Sequence, residues 1–237
     1  MDPGRRRYFL DDLLPPLLRA LAEADPPAAL VDLGAGDGGV LWALERAGLL
    51  AGEAVAVDLS PERVALCESL SPRVRGLVAD ATSVAALPDG AADAVVASQL
   101  VEHLPDDRAL APEIARLLRP GGWFYVSSVA RGRRAWWVYR VDGRVAVDPT
   151  HLREYRSPED FAAALAEPRL RQVALRSRPL RFPLLDLLLR ALVLVGLLPA
   201  ERLPGLYVRR PRLARLRLAV RVRVPGYRWV ELAGRRV

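Results

Sequence analysis

The chain has 237 residues and a formal net charge of +7, with one cysteine and two histidines. This length can bury one sizeable hydrophobic core, and it favours a single α/β domain with an insertion over two separate domains. The lone cysteine, Cys67, excludes an internal disulfide framework, and no Cys/His pairs have zinc-ligand spacing, so the sequence predicts no metal site.

The charge is distributed unevenly along the chain. Residues 169–223 contain 14 arginines against two acids, a net charge of +12, which leaves −5 for the remaining 182 residues. Such a patch predicts an anionic partner, either phospholipid head groups or nucleic acid phosphates, with a solvated charged face as the non-functional alternative. The charged beginning of the chain is followed by no signal-length apolar region, which predicts an intracellular, cytoplasmic protein.

Helices and strands are predicted to alternate from the beginning of the chain. Residues 8–24 have apolar positions at helical spacing, interrupted by Pro15 and Pro16, and strands follow at 28–33, 54–57, 75–79, 92–97 and 123–128. Helices are predicted between them, including one that opens at Pro61 and one over 106–118. This alternation predicts a Rossmann-like, doubly wound sheet of seven mostly parallel strands with helices on both faces.

The first predicted strand ends in a turn that contains four glycines within six residues. Gly34, Gly36, Gly38 and Gly39 allow backbone angles that other residues avoid. They also let a ligand lie against bare main chain at the start of the next helix. The turn therefore predicts a nucleotide-sized pocket.

Two ligand classes compete for this pocket. The G-x-G-x-x-G spacing of residues 34–39 matches the dinucleotide fingerprint, and Asp58 lies where its ribose-binding acid is expected. Asp37 lies within the turn, however, and Asp32 just before it, and carboxylates there repel a pyrophosphate. A ligand with a cationic ammonium and sulfonium gains from both acids, which favours S-adenosylmethionine.

Four segments in order resemble the class I S-adenosylmethionine-dependent methyltransferases, especially the small-methyltransferase group that includes quinone-biosynthesis enzymes. They are VDLGAGDG, AVAVDLS, VADATSVAALPDGAADAVVASQLVEHLPD and ARLLRPGGWFYVSS, within residues 28–130. The resemblance implies a set of cofactor contacts: Asp32, Gly34, Ala35, Gly36 and Gly38 at the methionine part, Asp58 and Leu59 at the ribose, Asp80 and Ala81 at the adenine, and Ser98 and Gln99 near the sulfonium. Gln99 stands where relatives often have Asn or Asp.

The acceptor side is predicted from residues 131–156. An Asp142-Gly143 pair between two apolar runs predicts a hairpin, whose Trp136 and Trp137 either cover the acceptor or form the hairpin's own core. Asp148-Pro149-Thr150-His151 follows at the ligand-binding edge of the sheet. His103 and His151 are candidate general bases because imidazole titrates near neutral pH, and helix capping or packing is the alternative for His103.

The last third of the chain contains an apolar and arginine-rich insertion at 179–224. Residues 184–198 are almost wholly apolar but too short to span a membrane, so this helix is buried, dimerised or laid in a bilayer interface. Residues 215–224 alternate as a strand with one basic face, and Pro225-Gly226 predicts a turn into the last strand. The single domain then comprises an N-terminal helical segment at 1–27, the core at 28–130, the hairpin at 131–156, this insertion, and a final strand at 225–237.

The function predicted from the sequence is methyl transfer from S-adenosylmethionine by in-line displacement to a small, lipophilic acceptor of the quinone or isoprenoid kind. The acceptor atom stays open among oxygen, nitrogen and carbon. The alternatives are an RNA or protein methyltransferase that docks through the arginine-rich segment, a non-catalytic cofactor-binding scaffold, and a nicotinamide-dependent reductase. An anionic membrane is the favoured docking partner, because nucleic acid surfaces usually interleave aromatics with basic groups, and this segment has only Phe182 and Tyr207.

Overall fold

The computed structural model describes residues 14–133, 135, 139–141, 144–146, 148, 150–198, 212, 213, 216 and 219–237. Several predictions lie outside these residues: the helical pattern before residue 14, the tryptophans Trp136 and Trp137, the Asp142-Gly143 pair, and Pro149.

Six α-helices are found among the described residues: α1 Pro16–Ala24, α2 Gly39–Arg46, α3 Pro61–Glu68, α4 Leu110–Leu117, α5 Pro158–Ala164 and α6 Leu184–Leu194. Two 3₁₀ turns, Val101–His103 and Asp107–Ala109, lie between the fourth strand and α4. Both α3 and α5 begin with a proline after a serine cap, since Ser60 accepts a hydrogen bond from the Arg63 N–H and Ser157 from the Asp160 N–H.

Nine strands accompany these helices: β1 Ala29–Leu33, β2 Glu53–Asp58, β3 Val74–Val78, β4 Ala92–Ser98, β5 Leu118–Arg131, β6 Tyr139–Val141, β7 Arg144–Ala146, β8 Leu170–Pro183 and β9 Arg221–Arg236. Seven of them form one sheet in the order β3-β2-β1-β4-β5-β9-β8. Neighbours are parallel from β3 to β5, whereas β9 is antiparallel to both β5 and β8. The seven-stranded, mostly parallel prediction is confirmed, and β6 and β7 pair as the predicted hairpin.

The sheet is buried on both faces because helices cover each side. Alternate residues of β1 belong to different core clusters: Val31 and Leu33 pack with α4 and α5, whereas Leu30 packs with α1 and α2. The parallel pairing aligns the carboxyl ends of β1, β2 and β4 at one edge. The loops that follow these strands therefore meet there.

The last two strands differ from the prediction. β8 runs from Leu170 to Pro183, into the predicted insertion at 179–224, and β9 runs without a turn through Pro225 and Gly226. The pairing jumps from Pro179–Arg228 to Arg181–Arg223, so the two predicted turn residues lie in a bulge opposite Leu180. A bulge accommodates a proline that has no N–H to donate, and the long β8 supplies the partner strand.

The predicted basic strand over 215–224 is found only from Arg221, where β9 begins, because Leu216 and Ala219 are helical. Within the described part of the chain, the structure contains no helix long and apolar enough to cross a membrane. α6 itself has 11 residues.

Candidate functional site

A cavity of about 870 Å³ lies at the carboxyl ends of the parallel strands. Its wall contains all but one of the residues predicted to contact the cofactor: Asp32, Gly34, Ala35, Gly36, Asp58, Leu59, Asp80, Ala81, Ser98 and Gln99. The exception is Gly38, which caps α2 in the left-handed conformation with φ 79°. A Cβ there would meet the side chains of Leu70 and Cys67, so Gly38 allows close packing behind the turn and does not form part of the cavity wall.

The glycine turn presents bare backbone to the cavity. Gly34 and Gly36 have φ angles of 67° and 55°, which favour glycine. The Gly36 N–H donates to Asp58 Oδ2 at 3.0 Å, and its carbonyl accepts from the Cys67 thiol at 3.4 Å. Within the described part of the chain, no atom lies within 4 Å of a Cβ built at Gly36, so this residue leaves open space for a ligand.

The acid before the turn is buried and lacks a hydrogen-bond partner at one oxygen. Asp32 is 1% exposed, and within the described residues its Oδ2 has no such partner. Burial, together with the charge of Asp58, raises the pKa of Asp32 to about 8. A cationic group of a ligand would stabilise the ionised form of this carboxyl.

The second acid that the ligand argument used has a different environment. Asp37 does not line the cavity, and its carboxylate lies 3.9 Å from the guanidinium of Arg63. Arg63 itself lines the cavity and lies equally far from Asp58. The prediction that Asp37 repels phosphate therefore loses its geometric basis, and Asp32 carries the preference for a cationic ligand.

The two strand-end acids are held in place by backbone donors. Asp58 Oδ1 accepts from the Ser60 N–H at 2.9 Å, and Asp80 Oδ1 accepts from the N–H and hydroxyl of Thr82 at 2.8 and 2.7 Å. The bonds from Thr82 lower the pKa of Asp80 below its usual value. A carboxylate has about four acceptor positions, so both acids keep capacity for ligand hydroxyl or amino groups. Leu59, 73% exposed, stands beside them as an apolar surface.

Gln99 has an uncommon backbone conformation for a residue that is not glycine. Its φ is 55°, and its side-chain nitrogen is buried without a hydrogen-bond partner among the residues described. Such conformations concentrate at functional sites. Ser98, the preceding residue, shares a hydrogen bond of 3.0 Å with the hydroxyl of Ser127. Gln99 therefore offers an amide donor in the cavity wall.

His103 lines the cavity in a defined tautomer. Its Nδ1 lies 3.2 Å from the carbonyl oxygen of Thr150. A carbonyl can only accept, so Nδ1 carries the proton and Nε2 keeps a lone pair in the neutral ring. Burial lowers the pKa of His103 below its usual value, against the opposing hydrogen bond to Thr150. The arrangement provides a neutral base at the cavity wall.

His151 lies behind His103 and does not line the cavity. Its side chain is 6% exposed, and the two rings meet edge to face with centroids 5.0 Å apart. His151 Nε2 is 4.0 Å from Glu102 Oε1, and its Nδ1 is 3.5 Å from Glu154 Oε1. The structure thus corrects the predicted contact between His151 and an acceptor, because this ring is enclosed by acids.

Glu102 is the residue of this region that the sequence argument missed. It is fully buried, and its Oε2 accepts from the Ser128 hydroxyl at 2.9 Å. Burial, opposed by its hydrogen bonds and by His151, raises the pKa of Glu102 to about 7. The only sequence signal was an acid directly before His103, and its burial depends on residues that are distant in the chain.

Residues 150–155 lie over the 3₁₀ turn that holds His103. The Leu152 N–H donates to the Glu102 carbonyl at 2.9 Å, and the Arg153 guanidinium donates to the carbonyls of Leu104 and Pro105. The Tyr155 hydroxyl donates to Asp107 at 2.9 Å. Asp148 and Thr150 line the cavity as the sequence predicted for the segment after the hairpin.

The cluster of Glu102, His103 and His151 is not spaced as a ready metal site. Each offers one ligand atom, and these atoms lie within 4.8 Å of one another. Two ligands of a tetrahedral zinc ion are separated by roughly 3.3 Å. The 4.0 Å between Glu102 and His151 exceeds this value, and Nδ1 of His103 is engaged by a carbonyl.

Comparison with known proteins gives a coherent set of matches. A family model described as a methyltransferase domain matches residues 31–126. A ubiquinone biosynthesis O-methyltransferase of Xanthomonas campestris pv. campestris is 33% identical over 160 residues, which cover 63% of this chain and 66% of that protein. An uncharacterized methyltransferase of Mycobacterium bovis is 34% identical over 139 residues, 57% of this chain and 55% of that protein. The chain spans just under two thirds of the first relative's length.

Solved structures share the fold at lower identity. The [4+2]-cyclase SpnF has a TM-score of 0.62 at 23% identity, covering 93% of this chain and 80% of that chain. The geranyl diphosphate C-methyltransferase from Streptomyces coelicolor A3(2) has a TM-score of 0.56 at 18% identity, covering 92% and 79%. At these identities the likeness is one of fold.

Proposed function

Because this chain belongs to the class I S-adenosylmethionine-dependent methyltransferases, we propose that it methylates a hydroxyl of a small, lipophilic acceptor. The observation that carries the proposal is the neutral imidazole of His103 at the cavity wall, with Nδ1 bonded to the Thr150 carbonyl and Nε2 left as a base. A hydroxyl acceptor needs such a base, because its oxygen becomes a stronger nucleophile as its proton leaves.

The cavity fits the cofactor at three places. The unpaired carboxylate oxygen of Asp32 suits an ammonium group, and the open backbone at Gly36 leaves room beside it. Asp58 has acceptor capacity for ribose hydroxyls, with Leu59 as an apolar neighbour. When bound, the cofactor supplies an electrophilic methyl group for in-line displacement. The fit supports S-adenosylmethionine over a dinucleotide because the buried Asp32 carboxyl is stabilised in its ionised form by a cationic group and not by a phosphate.

The residues of the chain would act on the acceptor through position and proton transfer. His103 receives the hydroxyl proton at Nε2, while its Nδ1–H stays on Thr150 and fixes the ring. Leu100 and Leu104 line the same wall and exclude water from the base. Holding the acceptor oxygen in line supplies most of the rate, and the base adds to it.

A lipophilic acceptor is supported by the names of relatives and not by any contact in this chain. The first relative is named for ubiquinone biosynthesis, and one protein of the same fold is named as a geranyl diphosphate C-methyltransferase. SpnF, a cyclase, carries this fold as well, which illustrates that a fold does not fix the reaction. The acceptor class therefore needs a direct assay.

The test measures methyl transfer from radiolabelled S-adenosylmethionine to a panel of lipophilic phenols, each paired with its pre-methylated ether. We expect label to enter the free phenols only. Calorimetry with S-adenosylhomocysteine and with NAD accompanies the assay. Binding of NAD without binding of S-adenosylhomocysteine would contradict the proposal and favour a reductase. Binding of S-adenosylhomocysteine without transfer to any phenol would contradict the proposed acceptor and favour a scaffold or an RNA or protein methyltransferase.

A second part of the proposal concerns the surface at which the protein encounters a lipophilic acceptor. We propose that α6 and the adjoining arginines dock on an anionic membrane. Leu188 and Leu192, one helical turn apart, are 55% and 41% exposed. Just before α6 begins, Arg181 and Arg223 lie directly opposite each other on β8 and β9, and both are exposed. Like charges directly opposite destabilise a sheet unless an anion is near.

The docking test uses co-sedimentation with anionic vesicles, neutral vesicles and tRNA. The Leu188→Glu, Leu192→Glu double variant should lose anionic vesicle binding while staying folded, since each nearby arginine contributes only about 1 kcal/mol. Val173→Glu is the matched control, because Val173 is 65% exposed on β8 away from α6. Equal binding of the double variant and the wild type would contradict docking through α6, and preferential binding to tRNA would identify nucleic acid as the partner.

A further inference from the structure

The two histidines of the chain form a pair with unequal surroundings. His103 faces the cavity, whereas His151 packs edge-on behind it and is enclosed by protein. We propose that His151 is a positioning residue, an imidazolium held between Glu102 and Glu154 that fixes the His103 ring and keeps it in its neutral, proton-accepting form. The inference rests on the proposed function only for the claim that His103 acts as the base.

The acids around His151 supply the geometry for an imidazolium. Glu102 Oε1 lies 4.0 Å from Nε2 and Glu154 Oε1 lies 3.5 Å from Nδ1, so each ring nitrogen has a carboxylate on its side. Both acids have buried side chains, with 0% and 5% exposure, where a charge interacts more strongly than in water. A ring with an acid at each nitrogen is favoured when both nitrogens carry protons.

The acids are themselves anchored, which keeps His151 in place. Glu102 Oε2 accepts from the Ser128 hydroxyl at 2.9 Å, and Glu154 Oε2 lies 3.6 Å from the Arg131 guanidinium. Ser128 and Arg131 belong to β5, an inner strand of the sheet. The position of His151 is therefore tied to the sheet.

Charged groups act on the two rings in opposite directions. Burial lowers the pKa of His151, but the Glu154 carboxylate, 3.5 Å from Nδ1, and the charges of Glu102 and Asp148 outweigh it, and the pKa rises above its usual value. His103 is affected by burial first, then by His151 and Arg63, which together outweigh Thr150 and Asp148 and lower its pKa. Pairs whose pKa values are pushed apart identify the base and its charged neighbour.

The ring contact explains why the charge of one histidine matters to the other. With centroids 5.0 Å apart, a proton added to His103 would place two like charges in contact inside the protein. His103 therefore stays neutral while His151 is charged. The same contact, with the Thr150 carbonyl at Nδ1, limits rotation of the His103 ring.

The experiment uses the fact that the full chain contains only two histidines. Their imidazole proton resonances can be followed by NMR across pH 4 to 9, and each is assigned by its loss in a variant. In the wild type we expect His151 to titrate above about 6.5 and His103 below it. In His151→Gln, the remaining His103 midpoint should rise by roughly one pH unit because the neighbouring cation is gone.

Glu154→Gln provides a second variant that keeps both rings. It should lower the midpoint of His151 and raise that of His103, and it changes only one oxygen to an amide. Glu159→Gln is the matched control, since Glu159 is an exposed acid on α5, and both midpoints should stay unchanged. An unchanged His103 midpoint in both test variants, or a wild type in which His103 titrates above His151, would overturn the inference.

An activity profile separates this inference from the proposed function. For a hydroxyl acceptor, the acid limb of kcat/KM in Glu154→Gln should move up in pH while the plateau at high pH is retained, which a purely structural role would not produce. If the NMR midpoints move as expected but no hydroxyl acceptor is methylated, the histidine pair stands and the proposed function fails. If methylation occurs and the midpoints do not move, the proposed function stands and the inference about the histidine pair fails.

Discussion

The two walls of the cavity differ in how their charged groups are used. On the glycine-turn wall, Asp32 is buried with an oxygen that has no hydrogen-bond partner in the described part of the chain. On the wall formed after β4, His103 bonds to Thr150, and His151 and its neighbouring acids lie behind it. The first wall offers a carboxyl oxygen to a cationic ligand, whereas the second contains the base and the acids that lie behind it. Binding and proton transfer are thus assigned to separate sides of one cavity.

The largest effect is expected from removing the base on the second wall. His103→Ala should reduce kcat by about 10²–10⁴-fold, the usual contribution of a general base, with little change in S-adenosylhomocysteine affinity. Initial rates and calorimetry measure the two quantities. Arg108→Ala, an exposed side chain near the same turn, is the matched control and should leave both unchanged. Equal losses of rate and affinity would place His103 on the binding side and break the division between the walls.

On the first wall, Asp58→Ala should weaken cofactor binding without affecting the base. A lost charge-assisted hydrogen bond of about 1.5–3 kcal/mol corresponds to roughly 10–100-fold in affinity. Glu53→Ala, at the exposed beginning of the same strand, is the control. Calorimetry at one pH measures both variants, and an affinity unchanged in Asp58→Ala would show that the ribose lies elsewhere.

The pH dependence of binding sharpens the role of Asp32. Its pKa of about 8 means that the unliganded carboxyl is mostly protonated at pH 6, while a ligand ammonium favours the ionised form. Affinity for S-adenosylhomocysteine should therefore rise between pH 6 and 8, by at most about tenfold per unit. Adenosine, which lacks the ammonium, should show no such rise, and neither should Asp32→Asn with S-adenosylhomocysteine. A pH slope shared by adenosine would assign the proton to another group.

The smallest effect concerns the stability of the unliganded protein. Asp32 and Glu102 have raised pKa values of about 8 and about 7, so the folded state binds more protons than the unfolded chain above pH 4. Their contribution to stability is therefore largest at acid pH and is lost as pH rises toward 8. The Tm of Asp32→Asn should therefore rise relative to that of the wild type as the pH is raised from 5 to 8. Differential scanning calorimetry measures this, and a constant difference across pH would contradict it.

The parts of the molecule that were predictable from sequence depend on neighbours in the chain. The glycine turn after β1 and the acids that end β2 and follow β3 are local features, since strand, turn and helix are written in consecutive residues. The same holds for the start of α3 at Pro61, where the preceding Ser60 caps the helix. The predictions of these elements are correct because interactions between neighbouring residues determine them.

The parts that were not predictable depend on residues far apart in the chain. The Glu102 carbonyl is bonded by Leu152, fifty residues later, and its side chain by Ser128. Nothing in the local pattern distinguishes this buried acid from an exposed helix-capping one. Likewise, a Pro-Gly pair usually forms a turn. Pro225 and Gly226 instead lie in a bulge, because the long strand β8 pairs with β9 on both sides of them. Contacts with residues distant in the chain therefore determine both the burial of Glu102 and the bulge at Pro225 and Gly226.

The Asp58 carboxylate joins two separate loops before any ligand arrives. One of its oxygens accepts from Gly36 in the turn after β1, and the other from Ser60 in the turn after β2. The side chain has therefore lost its rotational freedom during folding, and the two backbone segments are ordered with it. A ligand that binds here does not have to order them, so less of its interaction free energy is offset by entropy. The same bridge couples the shape of the glycine turn to the end of β2, so a change at either loop is transmitted to the other.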